Sequence, residues 1–166
     1  MIQNISQYLT VIFVAIILAG ASFASSECYA DSFHKRLISC EPLKSAIQTW
    51  LEDEGVSKDF YYLAVCESGC KTDSVSKKGA IGIFQLMPWT AKHFRCDNPR
   101  DIECNTRAAA RYLKHLYEYS PDFNTIIMMF NMGGHNLIKK GTTKESRDLA
   151  YCVKHMIIAD REITED

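Results

Sequence analysis

The chain has 166 residues, of which 47% are hydrophobic, and a net charge of −1. This length predicts one domain rather than two. Acidic and basic residues are interspersed, without a basic block or an aromatic–basic stripe, which excludes the usual surface of a nucleic-acid-binding protein.

The N-terminal segment is uncharged and apolar. The first 26 residues contain no Asp, Glu, Lys or Arg, and the apolar run ends in the small-residue pattern Ser22-Phe23-Ala24. This pattern predicts a secretory signal peptide over residues 1–24, followed by an exported domain over residues 25–166. Because no Lys or Arg precedes the apolar run, an uncleaved membrane anchor is the alternative. In both cases we expect a periplasmic or secreted protein.

All seven cysteines follow the predicted cleavage site. In an oxidising compartment they are expected to form disulfides, and the odd number leaves one thiol over. Cys96 and Cys104 bracket a short polar loop and are the first candidate pair. Cys66 and Cys70 share a helix face, so each is expected to pair with a distant cysteine. A zinc site that combines cysteines with histidines is the alternative use, but no tight Cys-x-x-Cys or His-x-x-x-His spacing supports it, and no metal is expected.

The hydrophobic periodicity is helical along the whole exported part. Pro42 opens the first predicted helix and Gly55 stops it. Residues 70–87 are rich in turn residues and form at most a short hairpin. The predicted fold is therefore mainly α, and its one irregular segment directly follows Glu67. The predicted helices cover residues 42–54, 59–69, 88–95, 106–119, 123–132 and 145–161.

Glu67 lies at the end of the apolar helix that contains Tyr61 to Cys66, before a Ser-Gly exit. An apolar wall raises the pKa of a carboxyl because burial disfavours its charged form. Cleavage of a glycosidic bond needs a carboxylic acid that keeps its proton near neutral pH. Glu67 is therefore a candidate general acid, and a solvated helix-end glutamate is the alternative.

Four sequence segments occur in order between Glu67 and Val153. The first runs from Glu67-Ser68-Gly69 through Ser76-x-x-Gly79-Ala80-x-Gly82-x-x-Gln85-Leu86-Met87-Pro88. The others are Asn105 to Leu113, Phe130-Asn131-Met132-Gly133, and Glu145-Ser146-Arg147 with Tyr151 and Val153. Together they resemble the lytic transglycosylase SLT domain family, which shares the goose-type lysozyme fold. The resemblance spans about residues 58–155 and implies a lysozyme-like single domain.

By position, the resemblance implies that Glu67 protonates the glycosidic oxygen and then acts as a base. Ser76 and Gln85 would hydrogen-bond the muramic acid residue or Glu67, Asn131 would hold the cleft floor, and Met87 would line the cleft. The alternative roles are core filling for Met87, a helix C-cap for Asn131 and a solvated turn for Gln85.

The chain departs from the family pattern at several positions. Phe130 replaces a tyrosine, so a hydroxyl near the catalytic carboxyl is lost, and Tyr151 is the candidate to supply a phenol instead. The alternative for Tyr151 is a half-buried core position. Cys70 stands where an aromatic residue is common, Met132 replaces Ala, and Ala109 replaces Gly.

The resemblance implies cleavage of the MurNAc–GlcNAc β-1,4 bond of peptidoglycan glycan strands with formation of 1,6-anhydromuramic ends. The C6 hydroxyl of the substrate attacks its own C1, so one carboxyl suffices and no metal or cofactor is needed. A lysozyme-type hydrolase of the same fold, with Asp73 or Asp97 directing water, is the first alternative. A non-catalytic glycan-binding module and a cystine-rich protein that binds another protein are the others. We expect a monomer, and family analogy suggests an envelope-spanning secretion or conjugation apparatus as a partner.

Overall fold

The computed structural model describes the backbone of residues 23–164 and the side chains of residues 34–133 and 136–161. Residues 1–22 of the predicted signal peptide lie outside this range. The chain divides into two units, residues 1–35 and 36–166, and the second contains the elements that position the candidate site. No helix within the described residues is long and apolar enough to cross a membrane.

The predicted mainly α fold is confirmed, since the described part of the chain contains α-helices, one short 3-10 helix and no extended sheet. The irregular segment after Glu67 contains two isolated antiparallel bridges, which join Val75 to Ile81 and Ile81 to Leu86. The helices are α1 (Phe23–Asp53), the 3-10 helix (Lys58–Phe60), α2 (Tyr61–Ser68), α3 (Pro88–His93), α4 (Ile102–Leu116), α5 (Phe123–Met132), α6 (Gly134–Lys140) and α7 (Lys144–Thr164).

The first helix begins earlier than predicted. Pro42 does not open it but lies inside α1. A proline in a helix removes the hydrogen bond to the carbonyl four residues earlier, which here belongs to Ile38. Both residues are exposed, so water can solvate the freed carbonyl. The neighbouring Cys40 is completely buried and bonded to Cys70, which fixes this turn of the helix in place.

The short helix α2 is the centre of the domain. Its residues from Tyr61 to Cys66 are all buried, which explains why the sequence of this segment is apolar without amphipathic alternation. Gly69 ends the helix in the left-handed conformation, with φ of 62°, where its missing Cβ avoids a steric cost. Helix α7 packs against α2 and α5, and α5 also packs against α4.

Helices α4 and α5 begin at side-chain caps. Asp101 accepts a hydrogen bond from the N–H of Cys104 at 2.8 Å, and Asp122 accepts one from the N–H of Thr125 at 2.7 Å. These contacts satisfy N–H groups that the helix itself leaves free. Gly133 interrupts the chain after α5, as expected, but the short helix α6 follows at once and was not predicted.

Three disulfides join the described cysteines. Cys96 pairs with Cys104, the pair expected from the short loop between them. Cys66 and Cys70 reach distant partners, as expected, because Cys66 pairs with Cys152 on α7 and Cys70 with Cys40 on α1. Disulfides persist in oxidising compartments, so this cross-linking indicates an extracytoplasmic location.

Candidate active site

A cleft of about 480 Å³ opens beside the end of α2. This volume lies within the range of about 300 to 1,000 Å³ that is common for ligand sites. The cleft is lined by Glu67, Ser76, Lys77, Lys78, Ala80, Gln85, Leu86, Met87, Thr90, Tyr112, Phe130, Asn131, Met132, Gly133 and Glu145.

Glu67 is the half-buried carboxyl of this cleft. Burial raises its pKa from 4.5 to about 7, and the nearby negative charge of Glu145 contributes in the same direction. No hydrogen bond to the carboxylate, which would lower the pKa, is found among the described residues. Glu67 therefore holds a proton near neutral pH, as a general acid must.

The residues on both sides of Glu67 fix its position. Cys66 and Cys70 are cross-linked to α7 and α1, respectively. Ser68 donates a hydrogen bond from Oγ to the carbonyl oxygen of Ile83 at 2.8 Å and accepts one from the N–H of Lys71 at 3.2 Å. The helix end that carries the acid is thus tied to two other helices and to the loop opposite.

Ser76 stabilises the tight turn at one edge of the cleft. Its backbone N–H donates to the carbonyl of Ala80 at 2.9 Å, and its Oγ accepts from the N–H of Ala80 at 3.0 Å. Because the hydroxyl acts here as an acceptor, its proton remains able to donate to a ligand.

Gln85 lies in the left-handed region with φ of 50°, which is unusual for a residue with a side chain. Its Nε2 donates to the carbonyls of Gly82 at 2.8 Å and Ser74 at 3.3 Å, and these bonds hold the strained residue in place. Its Oε1 has no hydrogen-bond partner among the described residues and can accept from a ligand.

The loop rests on Asn105, a completely buried residue of α4 to which the sequence analysis gave no role. Its Oδ1 accepts from the N–H of Phe84 at 2.9 Å, and its Nδ2 donates to the carbonyls of Pro99 at 2.9 Å and Ile81 at 3.2 Å. Gly82 approaches this amide so closely that a Cβ would lie 2.5 Å from Nδ2 and would overlap the Pro99 carbonyl oxygen. The signal in the sequence was an asparagine among alanines at the start of a core helix.

The far wall of the cleft comes from α5 and α3. Asn131 is half-buried in the last turn of α5, and Met87, which is 44% exposed, precedes α3. Tyr112 of α4 also lines the cleft, and its ring packs on Phe130 with the centroids 5.2 Å apart. The structure thus supplies a cleft phenol from Tyr112, which donates a hydrogen bond to the carbonyl of Met129 at 3.4 Å.

Comparison with known proteins identifies the family. Residues 45–152 match the transglycosylase SLT domain. The chain belongs to this family. The SLT domain is lysozyme-like, which agrees with the mainly helical fold found here. An Alteromonas sp. (strain M-1) protein named for tributyltin chloride resistance is 26% identical over 106 residues, which are 60% of this chain and 51% of that protein. The chain therefore spans about half the length of this curated relative.

Tyr151 does not reach the cleft of this SLT domain. Its side chain is 55% exposed, and its ring packs on His155 with the centroids 4.0 Å apart. It follows Glu145 by six residues on α7, which rotates it by about 240° around the helix axis from that residue. Cys152, one residue further, returns to the side of Glu145 and bonds to α2.

A second carboxyl of the SLT domain does line the cleft, and it is Glu145 rather than Asp73 or Asp97. Glu145 lies at the start of α7 and forms an ion pair of 2.9 Å with Lys78. Among the described residues, no group of three or more His, Cys, Asp or Glu side chains could hold a metal ion.

Proposed function

We propose that this SLT domain is a peptidoglycan lytic transglycosylase. It cleaves the MurNAc–GlcNAc β-1,4 bond of glycan strands and leaves 1,6-anhydromuramic ends. The single observation that carries the proposal is Glu67, a carboxyl with a pKa of about 7 that lines a cleft of sufficient size for amino sugars. The family match supports the substrate class.

The reaction needs only one carboxyl. Protonated Glu67 donates its proton to the glycosidic oxygen, and the bond from that oxygen to C1 of the muramic acid breaks. The carboxylate then removes the proton of the C6 hydroxyl, and O6 forms a new bond to C1. Glu67 ends the cycle protonated, and no water is consumed. Because the nucleophile belongs to the substrate, attack carries little entropy cost.

Other cleft residues have binding roles in this proposal. The Ser76 hydroxyl can donate to the sugar, and Gln85 Oε1 can accept from a hydroxyl or an acetamido N–H. Asn131 holds the floor and Met87 gives an apolar contact at the edge. Each of these side chains lines the cleft that contains Glu67. Tyr151 is left out of the binding set because it is exposed elsewhere on α7.

Digestion of purified sacculi by the disulfide-bonded protein, with mass analysis of the released muropeptides, tests the proposal. We expect anhydro ends, and loss of at least about 100-fold in rate on Glu67→Gln, the usual size of a general-acid contribution. Glu52→Gln, an exposed substitution on α1, is the matched control and keeps full activity. A Glu67→Gln variant with full activity would overturn the assignment.

Hydrolysis by the same fold is the second candidate. Glu145 favours it, since a second carboxyl in a cleft can direct water onto C1. Its ion pair with Lys78 and its exposure of 66% argue against this role, because a base must be free to accept a proton. Reducing ends in place of anhydro ends among the products would establish hydrolysis.

The disulfide cross-linking of the fold supports a setting outside the cytoplasm. We propose export through the predicted signal peptide, residues 1–24, with the lysozyme-like domain over residues 25–166 acting in the periplasm or outside the cell. Local opening of the wall for a secretion or conjugation apparatus fits a wall-cutting domain of this size. A deletion strain that assembles every envelope machine normally would contradict that role.

A further inference from the structure

We propose that Glu145 and Lys78 are positioning residues for the cleavage reaction, and that their ion pair across the cleft sets the charge that Glu67 faces. This inference rests on the proposed function, because it concerns the protonation of the same general acid. It adds two residues that touch neither the scissile bond nor the attacking hydroxyl.

The geometry places the pair at the cleft from two different elements. Lys78 belongs to the turn after Ser76, and Glu145 belongs to the first turn of α7. Their side chains meet at 2.9 Å, and both line the cleft together with Glu67. The pair therefore links the loop edge of the cleft to the helix on the other side.

Hydrogen bonds and a disulfide hold the backbone at the start of α7, which carries Glu145. Thr143 and Ser146 cap the helix reciprocally, with each side-chain oxygen accepting from the other residue's N–H at 3.0 to 3.1 Å. Two turns further, Cys152 is bonded to Cys66, the residue before Glu67. A carboxylate in the first turn of a helix is also stabilised by the helix dipole.

Within the part of the chain whose side chains are described, few other charges face Glu67. The loop contributes Lys77 and Lys78, α7 contributes Glu145, and α4 contributes the phenol of Tyr112, whereas the cleft residues of α3 and α5 are uncharged. On the α1 side, Arg36 donates to the carbonyl of Cys66 at 2.7 Å. Among these groups, Glu145 is the one whose charge raises the pKa of Glu67, in addition to the larger effect of burial.

The two members of the pair act in opposite directions. The negative charge of Glu145 favours the protonated acid, and Lys78 neutralises part of that charge. Loss of Glu145 should therefore lower the pKa of Glu67, and loss of Lys78 should raise it. For charges several ångströms apart near a protein surface, each change is roughly half a pH unit and shrinks at high salt.

The test is the pH profile of sacculus solubilisation for wild type, Glu145→Gln, Glu145→Asp and Lys78→Gln. Activity of the wild type should fall with a midpoint near pH 7, as Glu67 loses its proton. We expect the midpoint to move down in Glu145→Gln and up in Lys78→Gln, with equal rates at low pH. Glu145→Asp keeps the charge and should keep the wild-type midpoint.

Controls separate this electrostatic role from a structural one. Lys71→Gln removes an exposed lysine after α2 that does not line the cleft, and its midpoint should equal that of wild type. Midpoints that stay unchanged or move in the same direction in Glu145→Gln and Lys78→Gln would overturn the inference. Loss of Glu145→Gln activity at every pH would also overturn it, since Glu145 would then act directly on water.

Direct titration distinguishes failure of this inference from failure of the proposed function. The Glu67 carboxyl carbon can be followed by NMR in the same variants without any substrate. If wild type releases no fragments, the proposed function fails, but opposite shifts of the Glu67 pKa would still support the ion-pair effect. Identical titration curves in all variants would refute it whatever the activity.

Discussion

Glu67→Gln should stabilise the protein while it removes activity, because ionisation of this buried carboxyl is unfavourable in the folded state. Its pKa rises from 4.5 in the unfolded chain to about 7 in the folded protein. A carboxyl with a raised pKa binds more protons in the folded state, so wild-type stability falls as the pH rises from 4.5 to 7. Glutamine has nearly the same shape but stays neutral, so the variant lacks this pH-dependent destabilisation.

The size of the effect follows from the shift, since each pH unit corresponds to about 1.4 kcal/mol. At pH 8 Glu67 is ionised in both the folded and the unfolded wild type. The Glu67→Gln variant should then be more stable by about 3 kcal/mol. At pH 5 the folded carboxyl is protonated and the unfolded one is partly ionised, so the gain should be about 1 kcal/mol. The gain is therefore expected to grow with pH.

Urea unfolding of the disulfide-intact proteins at pH 5 and pH 8 measures these free energies of unfolding. The exposed substitution Glu52→Gln is the matched control and should give the same small difference from wild type at both pH values. A Glu67→Gln variant that gains nothing at pH 8, or gains equally at both pH values, would refute the claim that burial keeps this acid protonated.

Two further pairs of substitutions test the packing around the site. Tyr61 has a buried hydroxyl that finds no hydrogen-bond partner among the described residues, so Tyr61→Phe should be neutral or stabilising by about 1 kcal/mol. Tyr62→Phe loses a 2.6 Å bond to Asp160 and should cost about 1 to 2 kcal/mol in thermal unfolding. Equal losses in both would contradict this. Gly82→Ala should lower the free energy of unfolding by about 3 kcal/mol or more and remove most of the activity, because its Cβ meets the buried amide beneath the loop. Gly79 has a similar φ but open space around it, so Gly79→Ala should lower the free energy of unfolding by only about 1 kcal/mol. A loss as large as that of Gly82→Ala would count against the packing argument.

The turn that carries Gln85 illustrates what a linear motif cannot give. The family resemblance implied that Glu67 and Gln85 serve one site, and both line the same cleft. The support of the turn comes from Asn105, twenty residues further along the chain, which uses its whole amide to hold three backbone groups. This support requires α4 to pack beneath the loop at one particular position. Helical periodicity does not specify where a helix packs against a loop.

The sequence alone determined the helical class, the apolar helix that ends at Glu67, and the order of motifs that identifies an SLT domain. The first two are local properties, since propensity and periodicity act over one or two helical turns, and the third needs only the linear order of residues. Only the tertiary structure decided which distant groups meet: Glu145 with Lys78, Cys66 with Cys152, and Tyr112 in the cleft wall. The packing of α7 and α4 around α2 sets these contacts. The charge that Glu67 experiences, and hence the proton it can deliver, is therefore a property of the fold.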